Sequence, residues 1–279
     1  MKVVQGPVSG IRSGRLDRGI NTQSYCYRFG NALIDTGPPA GWRAVRTFAE
    51  AEHARQPIKQ IVLTHHHEDH AGNASRLQDL LECPVYAPPD SLERLREGYP
   101  QELYRRVVWG KQPPVVARPL PENIDVGSGE RLQVISAPGH ADDMVCLHDP
   151  SRDWLFSADL YLTRRPHYLR FDEDLPALIG SLRALQAYSI HTMFCGHAGV
   201  VRMGGQALKS KLHYLVALSA RAQAMRAHGP SADAIRTALL GREGLLYYVT
   251  TGDFSKQHLI DAALQVELGV HEPVSLEAE

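Results

Sequence analysis

The sequence predicts an α/β fold with an α-helical C-terminal extension, and three observations predict it. Short apolar runs alternate with amphipathic stretches through about the first 200 residues. Residues able to bind a cation stand at the ends of several of those runs. After Gly199 only helical periodicity remains, so residues 1–200 are expected as one domain and 201–279 as a helical extension.

The elements follow in order. Val3-Val4, residues 24–28 and residues 32–35 predict a β-meander, with Phe29-Gly30-Asn31 as the turn between the last two. After Gly37-Pro38-Pro39-Ala40-Gly41, the spacing of Trp42, Val45, Phe48 and Ala49 predicts the first helix, with Glu52 and Arg55 outside its apolar stripe. Residues 58–64 form a β-branched run that predicts a buried strand, followed by a loop from His65 and a helix over 74–81. A strand over 85–87, a helix over 91–97 and a strand over 132–136 come next, the last ending at Ala137-Pro138-Gly139-His140. Residues 144–147 and 154–157 predict a hairpin whose polar turn is 148–153. In the extension Leu208, Leu212, Leu215, Ala222 and Met225 keep one helical face, and Gly229-Pro230 ends it. Two shorter helices are expected over 231–240 and 255–268, making the tail all-helical.

Composition narrows the function. With 43% hydrophobic and 22% charged residues, the chain is neither disordered nor a coiled coil. Its 30 basic and 31 acidic residues give a net charge of -1, too little for a global grip on nucleic acid or an acidic membrane. Residues 1–20 lack the apolar run of a signal peptide, and no segment approaches a spanning helix, so the cytosol is the expected address and no membrane partner is expected. Cys26, Cys83, Cys146 and Cys195 form no C-x-x-C pair and are expected as buried thiols. One local imbalance stands out. Between Leu175 and Ala232 there is no acidic residue, while Arg183, Arg202, Lys209, Lys211, Arg221 and Arg226 fall there.

The strongest chemical signal is Thr64-His65-His66-His67-Glu68-Asp69-His70. Alternate side chains of an extended loop share a side, so His65 and His67 can converge on one cation while Asp69 and His70, past a bend, address a second. His66 points the other way and is expected not to bind. His140, Asp159 and His197 each stand at the mouth of a predicted strand, where sites in layered α/β proteins gather. Imidazole and carboxylate together suit zinc first, with manganese or iron as alternatives. Two cations acting on one water lower its pKa from about 15.7 toward roughly 7 and polarise a carbonyl or phosphoryl oxygen. Asp69 also offers a carboxylate that could orient that water or pass its proton onward.

These residues resemble the motifs of the metallo-β-lactamase superfamily of dinuclear metal hydrolases. H-x-H-x-D-H is present as His65, His67, Asp69 and His70, the later motifs as His140, Asp159 and His197, and an early Asp-Thr-Gly as Asp35-Thr36-Gly37. The resemblance covers about residues 20–200 and implies a four-layer αββα sandwich of two mainly antiparallel sheets between outer helices. It implies one metal on His65, His67 and His140, a second on Asp69, His70 and His197, and Asp159 bridging. The usual glycine before the bridging aspartate is Ala158, tolerable if the backbone there needs no positive φ.

Substrate residues are expected after Asp159. Tyr161, Arg164, Arg165 and Tyr168 place aromatic and guanidinium groups beside the proposed metals, which suggests a small substrate with an anionic handle. Asp35 is expected to support a ligand by hydrogen bonding or to serve the Asp-Thr-Gly turn, and Asp142-Asp143 to hold a histidine or form a solvated turn. An aspartate at 159 disfavours a resemblance to the zinc β-lactamases, and His67 disfavours the diiron electron-transfer branch. An iron persulfide oxygenase would need only one metal and leave three ligands unused. What remains resembles glyoxalase II-like thioesterases, lactonases and small hydrolases with a helical extension. The expected reaction is hydrolysis of a thioester, ester or lactone. A metal-dependent single-strand ribonuclease is the alternative, with the basic stretch tracking phosphates.

Overall fold

Two sheets lie face to face with helices on both outer sides. The structure is a computed structural model that describes residues 2–15 and 22–268; residue 1, residues 16–21 and the last part of the expected extension, 269–279, lie outside it. The first sheet is seven-stranded, in the order β1 (Lys2–Gln5), β2 (Val8–Gly14), β3 (Gln23–Phe29), β4 (Ala32–Ile34), β5 (Gln60–Val62), β6 (Val85–Ala87) and β7 (Arg118–Pro119). It is antiparallel through β4 and parallel from β4 to β7, so the expectation of mainly antiparallel sheets fails for half of it. Strands β8 (Asn123–Gly127), β9 (Glu130–Ser136), β10 (Val145–Asp149) and β11 (Trp154–Ala158) begin the second sheet. The chain then leaves it for β12 (Leu169–Arg170) and returns for β13 (Thr192–Cys195) and β14 (Gly199–Arg202). The order is β14-β13-β11-β10-β9-β8, with β11 and β13 its parallel pair.

Helices α1 (Trp42–Arg55), α2 (Glu68–Ala71), α3 (Ala74–Leu81), α4 (Leu92–Glu97) and α5 (Leu103–Val108) belong to the first half of the chain. Helices α6 (Leu175–Ala184), α7 (Gly204–Arg226), α8 (Ala232–Leu240), α9 (Leu245–Val249) and α10 (Lys256–Ala263) belong to the second, with β15 (Phe254–Ser255) between the last two. None among the described residues is long and apolar enough to cross a membrane.

The period of two along a strand sorts the core. Tyr25, Tyr27 and Phe29 on β3 meet Leu147, Phe156 and Phe194 between the sheets, while Cys26 on the same strand turns to the α1 and α3 side. Phe156 and Phe194 stack at 4.7 Å. On the other side Leu155, Met193 and Cys195 meet Leu208, Leu212 and Leu215 of α7 and Leu259 and Ile260 of α10, so one core joins the second sheet to the extension. All four cysteines are buried, unpaired thiols.

Several expectations are corrected. Glu52, expected outside the α1 stripe, is buried and takes ion pairs from Lys2 and Arg55. The turn expected over 148–153 is shorter, because His148 and Asp149 belong to β10. His148 Nε2 pairs with the Ser189 carbonyl, and Asp149 accepts from Ser151 and Arg152, which offsets the burial of both residues, although His148 Nδ1 has no partner among the described residues. The tail is not all-helical: β15 pairs antiparallel with β12. Ser231 and Ser255 cap α8 and α10 rather than beginning them, and α10 stops at Ala263. Ala158 has φ of 45°, so the condition under which an alanine there was tolerable is not met.

Candidate metal centre

The site sits where β4, β5, β9, β11 and β13 end. Buried apolar strands carry His65, His140, Asp159 and His197 to one mouth, so the strand cores fix where those side chains start. Ligand atoms of His65, His67 and His140 lie within 4.8 Å of one another, and so do those of Asp69, His70, Asp159 and His197. The seven residues named from the sequence thus form two adjoining groups. Asp159 touches both: its Oδ2 is 3.3 Å from His140 Nε2 and 3.1 Å from His197 Nε2, and its Oδ1 is 3.2 Å from His70 Nε2. Gly196 makes that approach feasible, since a Cβ there would stand 2.4 Å from Asp159 Oδ1 and 2.7 Å from His70 Cε1.

Hydrogen bonds from behind aim the rings. His70 Nδ1 lies 2.7 Å from Asp35 Oδ2, His197 Nδ1 lies 2.8 Å from the Gln23 carbonyl, and His140 Nδ1 lies 2.6 Å from Glu173 Oε1. His65 Nδ1 lies 3.0 Å from Thr64 Oγ1, and that hydroxyl donates to Asp35 in turn. Each partner is an acceptor, which places a proton on Nδ1 and turns Nε2 toward the centre, where a cation would take its lone pair. His67 presents Nδ1 instead, 3.1 Å from His140 Nε2. Asp35 therefore supports one histidine of each group, the hydrogen-bonding role anticipated for it. Its own φ is 55°, a left-handed conformation held by Thr64 N–H donating to Oδ1 at 2.9 Å.

The donor set fits divalent cations. His65 Nε2 is buried with no hydrogen-bond partner among the described residues, and His70 Nε2 and Asp159 Oδ1 face each other at 3.2 Å without an aligned hydrogen bond, so inward-facing polar atoms are left for a cation to satisfy. Three imidazoles make one group, and two imidazoles with two carboxylates make the other, a combination suited to zinc, manganese or iron. Burial, then His70, pushes the His65 ring below the ordinary imidazole range; burial, then Arg170, does the same to His67. Burial works the same way on His70 and His197, but Asp159 above all outweighs it and raises both. Burial would raise Asp69 and Asp159; the facing histidines hold both down. Both carboxylates are therefore ready as anionic ligands.

The remaining predictions sort differently. His66 turns away and pairs with Asp143 at 2.9 Å, while Asp142 takes Arg94, so neither aspartate is a free turn residue. Arg164 and Arg165 are exposed, and the Arg165 charge acts on the Tyr214 hydroxyl. Tyr161 is buried, and Tyr168 lies under Lys256 Nζ at 5.6 Å. No hydrogen bond or ion pair joins these four to the seven among the described residues. Arg170, the third arginine of the segment expected beside the metals, is the one that reaches the site, with Nη2 3.4 Å from His67 Nε2. Sequence reasoning missed Glu173 behind His140. It also missed the buried pair of Glu68 with Arg105, closed by two 2.7 Å bonds and a third from Tyr99. Only Glu68 carried a signal, its place inside the histidine motif.

A family model of the metallo-beta-lactamase superfamily matches residues 20–197, more than half of the chain. The chain belongs to that superfamily. Among curated relatives, a hydroxyacylglutathione hydrolase of Bdellovibrio bacteriovorus is 33% identical over 104 residues, covering 37% of this chain and 34% of that protein. An atrochrysone carboxyl ACP thioesterase of Aspergillus fumigatus is 24% identical over 207 residues, covering 74% of this chain and 59% of that protein. The matches thus span from about a third to under two thirds of those relatives' own length. A solved metallo-beta-lactamase family protein from Thermus thermophilus superposes with a TM-score of 0.66 at 22% identity, covering 94% of this chain and 93% of that one, which establishes the fold.

Proposed function

We propose that the protein is a metal-dependent hydrolase that cleaves a thioester, ester or lactone in a small molecule carrying an anionic group. The observation that carries this reading is the position of Asp159, whose two oxygens face His140 on one side and His70 and His197 on the other. In this reading His65, His67 and His140 would hold one divalent cation, Asp69, His70 and His197 would hold a second, and Asp159 would be a ligand available to both. Divalent cations held there would supply Lewis acidity and lower the pKa of a coordinated water toward neutrality. The chain's own part is to orient. Asp35, Gln23 and Glu173 fix the ring tautomers, and Asp69, kept anionic by His70 and His197, offers a carboxylate to position the attacking water. The thioester preference is supported by the relative whose name is thioesterase.

We further propose that residues 1–200 form the catalytic domain and 201–279 its extension, since all seven candidate ligands precede residue 200. The proposed cytosolic address is supported by the four unpaired thiols. For the anionic group, the candidate contacts are Arg164 and Arg165, which stand exposed after Asp159 beside Tyr161 and Tyr168. The ribonuclease alternative is weakened at one point: Lys211, counted in its basic track, is buried and donates to protein carbonyls. The test is a screen of anionic and neutral thioesters, lactones and single-stranded RNA, with zinc, manganese or chelator. Chelator-sensitive turnover of anionic thioesters or lactones is expected. Turnover that chelator leaves intact, or RNA cleavage alone, would overturn the proposal.

A further inference from the structure

We infer that Lys211 is a positioning residue for the metal centre: from α7 its ammonium fixes the loop that presents Asp159. The inference rests on the proposed role of Asp159. Lys211 Nζ donates to the Leu160 carbonyl at 2.6 Å and to the Tyr161 carbonyl at 2.9 Å, the two residues directly after Asp159. The side chain is buried, at 3% exposure, on the helical face that also carries Leu208, Leu212 and Leu215.

The loop needs such a hold. It leaves β11 through Ala158 at φ 45° and passes Leu162 at φ 51°, so two residues with side chains adopt left-handed backbone on either side of residues 159–161. Conformations of that kind persist only where the surroundings over-determine them. Gly196 N–H donates to the Ala158 carbonyl at 2.8 Å, and Leu160 N–H donates to the Ser157 carbonyl at 3.0 Å, which secures the start of the loop. The carbonyls that follow point inward, where Leu160 is fully buried, and Lys211 meets them.

Packing alone does not explain a lysine there. A methionine would fill the same apolar surroundings without the penalty of burying an ammonium, and that burial pulls the Lys211 pKa down to about 8. What the ammonium adds is a pair of bonds to backbone beside a metal-facing carboxylate. Groups that orient ligands from behind typically change metal affinity by about 10–100-fold when removed. Lys211 also ties the extension to the centre, since α7 begins after the last candidate ligand, His197.

The test compares full-length Lys211→Met, Lys211→Gln and Leu215→Ala. Leu215 is a fully buried residue of the same helix with no polar contact to the loop, so it reports the effect of destabilising α7 alone. Zinc affinity is read by competition with a chromophoric chelator, and the thermal midpoint of each metal-free protein is read alongside. Lys211→Met is expected to weaken at least one zinc equivalent by about 10–100-fold, while Leu215→Ala lowers the midpoint and keeps wild-type affinity. Lys211→Gln retains one amide donor, is expected between the two, and covers the case in which the methionine variant does not fold. Wild-type affinity in the methionine or glutamine variant, or an equal loss in Leu215→Ala, overturns the inference. Wild-type protein that takes up no zinc removes the proposed centre itself, and this inference with it.

Discussion

Asp35→Asn changes one carboxylate oxygen to an amide nitrogen, and its consequence can be followed atom by atom. Asp35 Oδ1 accepts from Thr64 N–H at 2.9 Å, and Oδ2 lies 2.7 Å from His70 Nδ1. If the asparagine oxygen stays on Thr64, its NH2 faces His70 Nδ1, which must then accept. The His70 proton moves to Nε2, the nitrogen that stands 3.2 Å from Asp159 Oδ1. A protonated Nε2 has no lone pair for a cation. If the amide flips instead, Thr64 N–H meets a donor and a buried bond is lost. The expected loss in affinity for the second cation is about 10–100-fold, which is about 1.4–2.8 kcal/mol. Its measurement is zinc content after dialysis against graded chelator, wild type beside variant. Two equivalents should fall toward one, with the His65, His67 and His140 group keeping its cation. An asparagine variant that retains both equivalents at wild-type affinity would refute the argument that Asp35 sets the His70 tautomer.

Three further outcomes are expected. Ala158→Gly removes the Cβ from a residue at φ 45° and should stabilise the protein by about 1 kcal/mol in urea denaturation, the left-handed penalty less the added freedom of the unfolded chain; an unchanged or lower midpoint would contradict it. Arg105→Ala leaves Glu68 buried and unpaired, so a loss of about 3–5 kcal/mol is expected, partly recovered by adding Glu68→Gln; a loss below about 1 kcal/mol would mean the pair is not what holds Glu68. The third concerns pH. Although burial opposes it, Asp159 raises His70 and His197, so their contribution to the metal-free protein is complete below about pH 6.5 and is lost as pH climbs through the raised values. Asp69 and Asp159 are lowered against burial by the same histidines, so they contribute above about pH 4 and the contribution is lost as pH falls through the lowered values. These four groups favour the metal-free protein most between about pH 4 and 6.5, the lowered His65 and His67 oppose it as pH falls below about 6.5, and cation uptake at pH 7 should release protons. Calorimetry in two buffers of different ionisation enthalpy measures that release; its absence would contradict the raised histidines.

The seven candidate ligands were legible because each follows a short apolar strand, and strand cores are what periodicity reports best. Their supports were not. Glu173 lies 33 residues beyond His140 in sequence and Arg105 lies 37 beyond Glu68, and nothing local distinguishes either from a solvated side chain. Lys211 sits on an apolar helical face, where a sequence pattern reads a lysine as the edge of the stripe. The two-residue strands β12 and β15 exist only through their pairing with each other, so no propensity announces them. Ala158 stands out in the sequence as a departure from the glycine expected there, yet its positive φ depends on the turn into Asp159, which tertiary contacts set.

The account stands on two cations sharing one aspartate, and anomalous diffraction from crystals grown with zinc or manganese tests that most directly. The expected map holds two peaks about 3.5–4 Å apart, one against His65, His67 and His140, the other against Asp69, His70 and His197, with the Asp159 carboxylate between them. A single peak, or peaks away from Asp159, would contradict it.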